Sequence, residues 1–482
     1  MDKQKKIVVV GGGIAGLATA YYIQKEARQR GLTISLRVIE REPRWGGNIR
    51  TDYVDNFVIE AGPDTFLATK PWAVALCREL GIEHRLRGTN PQHKKTYILH
   101  REDLHQIPGG LTMMIPTDIR SMLLTDLLTW TGKARMGLDL FIPVRKNVGD
   151  ESMGEFVTRR LGREAYEHLV EPLMSGIYAG DGDKLSIQST LPYLRDVEQK
   201  YGGLVRGALA VRKANSKNGK STQGSQSMFL TPVEGLAEIV KALTEVLHAG
   251  GTDLRAGVEV KHLSRVSGHY RLMLSDNTIL DADGLVLATP AYVSGALLGE
   301  LDPEIAAELK AVEYISTATV SLAYRNIDLP QPLDGYGYVI PRREGRKALA
   351  CTWTSTKFLH RAPEGYALLR VFVGRAGQEA DISWKEDDLL SVARDELKET
   401  IGITVPPLIS RVFIWDRAMP QYNVGHSARL QRLDQMLQRW PGLSLAGNGY
   451  RGIGIPDCIR SGQVAAEDQI ARVMDKPGKI AN

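Results

Sequence analysis

Residues Gly11-Gly12-Gly13-Ile14-Ala15-Gly16 satisfy the spacing G-x-G-x-x-G, and their surroundings restrict the fold more than any other stretch of the 482-residue chain. A short β-branched run, Ile7 to Val10, comes immediately before the glycines, and a stretch suited to a helix runs from Gly16 to about Arg30. That order predicts a strand, a tight turn and a helix, followed by a second strand over Ile34 to Glu40. Together they form the opening βαβ unit of a dinucleotide-binding fold. Gly11 allows the turn, Gly13 lets backbone approach a pyrophosphate, and Gly16 lets the helix pack on the strand. The helix N-terminus directs partial positive charge at the diphosphate. Glu40, closing the second strand, supplies an acceptor for both ribose hydroxyls.

Two further loops narrow the dinucleotide. Arg44-Trp45-Gly46-Gly47-Asn48 follows Glu40 within eight residues, and Glu60-Ala61-Gly62-Pro63-Asp64-Thr65 comes shortly after. They offer more backbone N–H groups than a nicotinamide site needs and suit a second phosphate or a flavin. Near the other end of the chain a strand, Leu443 to Ala446, leads through a turn rich in glycine, residues 447 to 454, into a helix from about Pro456 to Val473. The N-terminus of that helix, aimed at a flavin pyrimidine ring, would stabilise the anionic reduced form.

A βαβ unit at the start and a strand-glycine-helix at the end imply a discontinuous nucleotide domain with the middle inserted into it. The expected class is α/β: a Rossmann-like domain over 1–80, 228–297 and 440–475, a helical domain over 85–204, and a mixed-sheet substrate domain over 205–227 and 298–439. Ser152 and Glu155 form a capping box ahead of Met153, Phe156, Val157 and Leu161 at helical spacing, so 111–180 reads as mostly helical. Arg212 to Ser227 reads as a solvated loop. A helix over Gly235 to His248, a strand over Gly257 to Val260, a hairpin at Asp276-Asn277, a strand over Gly284 to Ala288 and alternating strands from 315 to 373 complete the pattern.

Composition excludes several classes of function. Hydrophobic residues make up 43% and charged residues 24%, which describes a globular chain, neither disordered nor fibrous. A net charge of +5 is too small to argue for nucleic acid. Cys77, Cys351 and Cys458 form no C-x-x-C pair, and the ten His show no ligand spacing, so neither a disulfide framework nor a metal site is expected and a reducing cytoplasm fits. Lys3, Lys5 and Lys6 ahead of the uncharged run Ile7 to Gln24 imitate a signal peptide, but the glycines interrupt it, and a strand-turn-helix accounts for the break. Between Pro108 and Pro143, charged residues break every apolar run, which predicts helices over an apolar cleft and no membrane span. Peripheral membrane contact stays compatible with this.

With these loops go Asp150-Glu151-Ser152-Met153-Gly154-Glu155-Phe156, Ser175-Gly176-Ile177-Tyr178-Ala179-Gly180-Asp181, Leu185-Ser186, Trp415 with Pro420-Gln421-Tyr422, and Pro456-Asp457-Cys458-Ile459. Over nearly its whole length the chain resembles the flavin-containing amine oxidase superfamily and, within it, the porphyrinogen oxidases, above all soluble bacterial ones that oxidise coproporphyrinogen III. The resemblance implies FAD contacts at Gly11, Gly12, Gly13, Ile14, Ala15, Gly16, Glu40, Arg41, Arg44, Gly47, Asn48, Gly62, Pro63, Asp64, Thr65, Val260 (backbone to adenine), Trp415, Asn448, Ile453, Gly454 and Ile455. Asn448 and Asn48 depart from it, since many members carry an acidic and a basic residue there.

The activity implied is oxidation of coproporphyrinogen III to coproporphyrin III by dioxygen, with release of hydrogen peroxide, in haem biosynthesis. Protoporphyrinogen IX is the nearest alternative substrate; amine oxidation and carotenoid desaturation are more distant. Gly176, Tyr336 and Val339 match positions that flank the macrocycle, and transient contact with the next enzyme of the pathway is implied. Lys70 is a candidate on charge alone, because coproporphyrinogen carries four propionates and protoporphyrinogen two. No Cys or His stands in the glycine loops where it would attach a flavin, and no side chain is singled out as a general base.

Overall fold

The computed structural model describes residues 4–109, 111–112, 115–116, 119–146, 149–217 and 227–474. Its organising element is a five-stranded parallel sheet in the order Asp253–Ala256, Ile34–Glu40, Lys5–Val10, Gly284–Leu287, Leu443–Leu445, drawn from three distant parts of the chain. The first strand lies at its centre and is buried on both faces, which explains its unbroken apolar run. Ile7 and Val9 face the helices Ile14–Gln29, Ala237–Ala249 and Ile455–Met474, whereas Val8 and Val10 face an antiparallel meander of Val260–Val266, His269–Leu274 and Ile279–Ala282.

A second sheet of seven strands runs in the order Ile409–Pro420, Tyr314–Arg325, Tyr366–Val373, Ala348–Trp353, Gly335–Val339, Lys95–His100, Asp103–Gln106. Residues 95–106, expected in the helical domain, thus form the last two strands at one side of this sheet, with Asp103–Gln106 at its edge. One sheet face packs on helix Glu386–Ile401 through Val320, Leu322, Leu369, Val371, Leu389, Ala393 and Leu397. The opposite face carries polar side chains, among them Thr319, Ser321 and Arg370, all buried.

The third unit is helical. The capping box at Ser152 is formed, with both reciprocal bonds at 3.1 Å. Its core is knit by ions as well as apolar residues. Arg160, fully buried, places Nε 2.5 Å from Asp139 Oδ1 and donates to the carbonyls of Ile142, Asp139 and Gly202. Asp139 Oδ2 accepts the Val205 N–H at 2.8 Å. Among the described residues no helix is long and apolar enough to cross a membrane.

Three local expectations change. The loop expected over Arg212 to Ser227 begins as helix, since Leu204–Lys217 is one element; residues 218–226 lie outside the described residues. Alanine, lysine and arginine favour helix there over the loop suggested by polarity alone. Of the strand expected over Gly257 to Val260, residues 257–259 form the turn between Asp253–Ala256 and Val260–Val266, with Gly257 at φ +76°, and Val260 opens the second of these strands. Residues 108–143 include two short paired strands, Leu111–Thr112 and Ile115–Pro116, before the helices Ile119–Leu124 and Trp130–Gly137.

The buried Asp139–Arg160 pair generates a prediction. Asp139→Ala strands a buried guanidinium, so it should cost about 3–5 kcal/mol of stability. Asp281→Asn, which removes the exposed Arg271 pair, should leave the urea midpoint unmoved. Equal midpoints for both variants would contradict the assignment of Arg160 as a buried structural ion.

Candidate functional site

The glycine turn joins the first strand to its helix. Gly11 has φ +110°, and an added Cβ would lie 2.7 Å from the Ala288 carbonyl oxygen. At Gly16 an added Cβ would collide with the Gly11 carbonyl oxygen, so helix and strand touch through backbone. Gly13 differs: its φ is an ordinary −72°, and the nearest atom to an added Cβ is Gly47 Cα at 3.9 Å. Nothing in the protein demands glycine at 13, and a Cβ would fill open space in front of the helix. The helix starts at Ile14 with no side-chain cap and no acid in its first turn, which leaves its leading N–H groups and dipole to an anionic ligand.

Glu40 stands beside this cradle. One carboxylate oxygen accepts the Gly12 N–H at 2.5 Å and the other the Glu42 N–H at 2.8 Å, and each keeps a free lone pair. Trp45 covers Gly12, where an added Cβ would run into its ring. Arg44 donates to the carbonyls of Gly47 at 2.7 Å and Ile49 at 3.4 Å and so shapes its own loop. Arg41 is exposed and paired with Glu42. The Asn48 side chain is exposed, but its carbonyl oxygen leaves no room for a Cβ at Gly62, which brings the second and third loops into backbone contact.

The loop from Glu60 to Thr65 is anchored from the seven-stranded sheet. The Ala61 carbonyl accepts from Trp415 Nε1 at 2.9 Å and Thr319 Oγ1 at 2.7 Å, and the Gly62 carbonyl accepts from Arg370. Pro63 is half-buried, and Thr65 Oγ1 donates to the Leu230 carbonyl at 2.8 Å. Burial alone would raise the Asp64 carboxyl, but Lys357 at 3.2 Å and Arg370 outweigh it and hold it below its ordinary range. For Glu60 burial wins and raises the pKa, against the opposing pull of Arg361 at 3.0 Å.

At the far end of the chain, Gly447 has φ +127° and meets nothing within 4 Å of an added Cβ. The Tyr422 hydroxyl donates to the Asn448 carbonyl at 2.5 Å and accepts the Gly452 N–H at 2.9 Å, which fixes the turn. Ile453 packs against the helical unit, and Gly454 leads into the helix opening at Ile455. Val260 is buried against Val10 and Ile39, and the chain just before it hydrogen-bonds at Val258 to the Glu40 carbonyl. The fingerprint residues, Glu40 and Val260 therefore share one neighbourhood.

The substrate candidates separate. Gly176 is exposed on helix Glu171–Tyr178, and its Cβ position is 3.4 Å from Val339. The Tyr336 hydroxyl is engaged by the Asn90 carbonyl at 2.8 Å. Lys70 Nζ binds both carboxylate oxygens of Asp457 at 2.6 and 2.7 Å, leaving one ammonium proton uncommitted. Thr319, Lys357 and Arg370 belong to no motif in the sequence, although each interrupts or borders an apolar run. Two surface clefts of about 540 and 450 Å³ beside helix Glu386–Ile401 include none of the expected site residues. Among the described residues no cluster of His, Cys, Asp and Glu suits a metal.

A cradle open at Gly13 and Gly447, two helix N-termini and a carboxylate beside the first fit an extended dinucleotide such as a flavin adenine dinucleotide. The comparisons with known proteins agree. The family described as flavin containing amine oxidoreductase matches residues 14–470. Coproporphyrinogen III oxidase of Bacillus subtilis is 38% identical over 97% of this chain and 98% of its own length. The coproporphyrinogen III oxidase of Staphylococcus aureus is 33% identical over 97% and 100%. A crystal structure from Exiguobacterium sp. 255-15, provisionally assigned as a protoporphyrinogen oxidase, superposes with a TM-score of 0.84 at 33% identity, covering 96% of this chain and 98% of that one.

The contrast between two glycines is testable. Gly13→Ala should fold and melt like the parent protein when flavin-free, yet lose flavin affinity at least tenfold, because its methyl group enters only the ligand space. Gly16→Ala should lower the melting temperature of the flavin-free protein as well. Undiminished flavin binding by Gly13→Ala would show that the open space is not the cofactor cradle.

Proposed function

The chain belongs to the flavin-containing amine oxidoreductase family, and from that premise we propose that it binds FAD without a covalent link and oxidises coproporphyrinogen III to coproporphyrin III in haem biosynthesis, with dioxygen as acceptor and hydrogen peroxide as by-product. The observation that carries the substrate class is the likeness to coproporphyrinogen III oxidases over almost the whole of both chains. A bound flavin supplies reversible acceptance of two electrons, and a porphyrinogen loses six hydrogens on becoming aromatic, so three such rounds are needed. Gly13 and the helix behind it receive the diphosphate, Glu40 the ribose hydroxyls. The loops at 44–48, 61–65 and 447–455 surround the rest. The surface formed by Gly176 and Val339 orients the macrocycle.

Residues 1–80, 228–297 and 440–475 would carry the cofactor and 205–227 with 298–439 the substrate, with the strands at 95–106 joining the latter by their pairing. Lys70 lies beside the C-terminal helix through Asp457. Its remaining proton would meet a propionate that protoporphyrinogen lacks. A second reading, protoporphyrinogen IX oxidation, is favoured by the provisional assignment of the Exiguobacterium structure.

Mixing the flavin-loaded protein anaerobically with each porphyrinogen and following loss of flavin absorbance should show reduction by coproporphyrinogen at least tenfold faster. Faster reduction by protoporphyrinogen would reverse the choice of substrate, and reduction by neither would remove the function. Lys70→Ala should raise the Michaelis constant for coproporphyrinogen several-fold and leave that for protoporphyrinogen nearly unchanged, as loss of uniform binding does. Equal effects on both would take Lys70 out of the substrate site.

A further inference from the structure

Behind the loop Glu60 to Thr65 lies a charged cluster that the proposed chemistry does not use. Glu60 and Asp64 face Lys357, Arg361 and Arg370, two carboxylates against three cations. Arg370 stands on the polar face of strand Tyr366–Val373 and is 3% exposed. Its Nη2 donates to the Gly62 carbonyl, and its guanidinium lies 4.7 Å from the Phe372 ring centroid. Nε and Nη1 are buried with no hydrogen-bond partner. A buried guanidinium normally has its donors satisfied, so a cation held with two of its nitrogens free is costly unless something nearby benefits from its charge.

The loop geometry indicates what benefits. The Ala61 carbonyl points to Trp415 and Thr319 and the Gly62 carbonyl to Arg370, so both face the sheet. In a trans peptide the N–H points opposite to the carbonyl of the preceding residue, which turns the Gly62 N–H away from the sheet. Among the described residues that N–H has no hydrogen-bond partner. Phe372, over whose ring the Arg370 guanidinium lies, packs against the same apolar cluster around Ala179 that Val339 borders, so Arg370 links the loop to the neighbourhood proposed for the macrocycle.

We infer that Arg370 is a positioning residue that holds the Ala61-Gly62 segment through the Gly62 carbonyl and places beneath it a buried cluster with one cation more than its carboxylates, favouring the reduced, more negative state of the flavin. The inference rests on the flavoprotein reading of the preceding subsection. A merely structural Arg370 would affect folding and leave the redox equilibrium alone.

The test measures the midpoint potential of the bound flavin anaerobically against indicator dyes, in the holoenzyme. Arg370→Gln should disfavour reduction about tenfold in equilibrium constant, about 30 mV for a two-electron couple. Arg370→Lys, which keeps the charge, should restore most of that loss. Should Arg370→Gln fail to fold, Lys357→Met, which removes a second cation of the same cluster, should shift the potential in the same direction. Unchanged potentials in the folded variants, or an equal shift in Arg370→Lys, would overturn the inference. Wild-type protein that binds no flavin at all would contradict the flavoprotein reading itself and the inference with it.

Discussion

The contact on which the rest of the molecule depends is the one between Gly16 and the Gly11 carbonyl, where no Cβ can be accommodated. Because helix Ile14–Gln29 begins that close to the central strand, its N-terminus opens directly onto the end of the parallel sheet, where open α/β sheets bind ligands. The C-terminal helix repeats the device on the first helix: at Gly462 an added Cβ would lie 2.5 Å from the Ala15 carbonyl oxygen. Two helix N-termini thus reach the same edge of one sheet although residues 14 and 455, where they begin, stand far apart in the chain.

Electrostatics inside the protein divide into two kinds. In the helical unit, the buried Arg160, Asp139 and Glu198 belong to a network in which Arg159 and Arg195 also pair with Glu198 and with Glu151, so cations and carboxylates lie close together. Beneath the loop Glu60 to Thr65 the charges are unequal, and two guanidinium groups there, of Arg361 and Arg370, keep unpartnered nitrogens. An imbalance of this sort costs folding free energy, and it lies against backbone that a cofactor is proposed to contact.

The sheet edge was legible because its signals are local. Ile7 to Val10, the glycines and the second strand follow one another without interruption, and the second strand falls where the periodicity put it. The capping box at Ser152 was equally local. What remained hidden depends on pairing between remote segments. Nothing at 95–106 shows that it will extend a sheet whose other strands begin at residue 314, and nothing at Lys70 shows that Asp457 will claim it. Arg370 left a trace, a lone cation within the apolar strand Leu368-Leu369-Arg370-Val371-Phe372-Val373, but the sequence does not say what a buried charge faces.

The central claim is that this cradle holds a flavin which, with dioxygen, makes a porphyrinogen aromatic. The most direct measurement is the stoichiometry of a complete turnover in air, with coproporphyrin followed by its fluorescence and hydrogen peroxide by a coupled peroxidase. The account predicts three molecules of peroxide for each coproporphyrin formed, at a rate that disappears when FAD is stripped and returns when it is restored. Coproporphyrin formation at the same rate without FAD, or without peroxide, would contradict it.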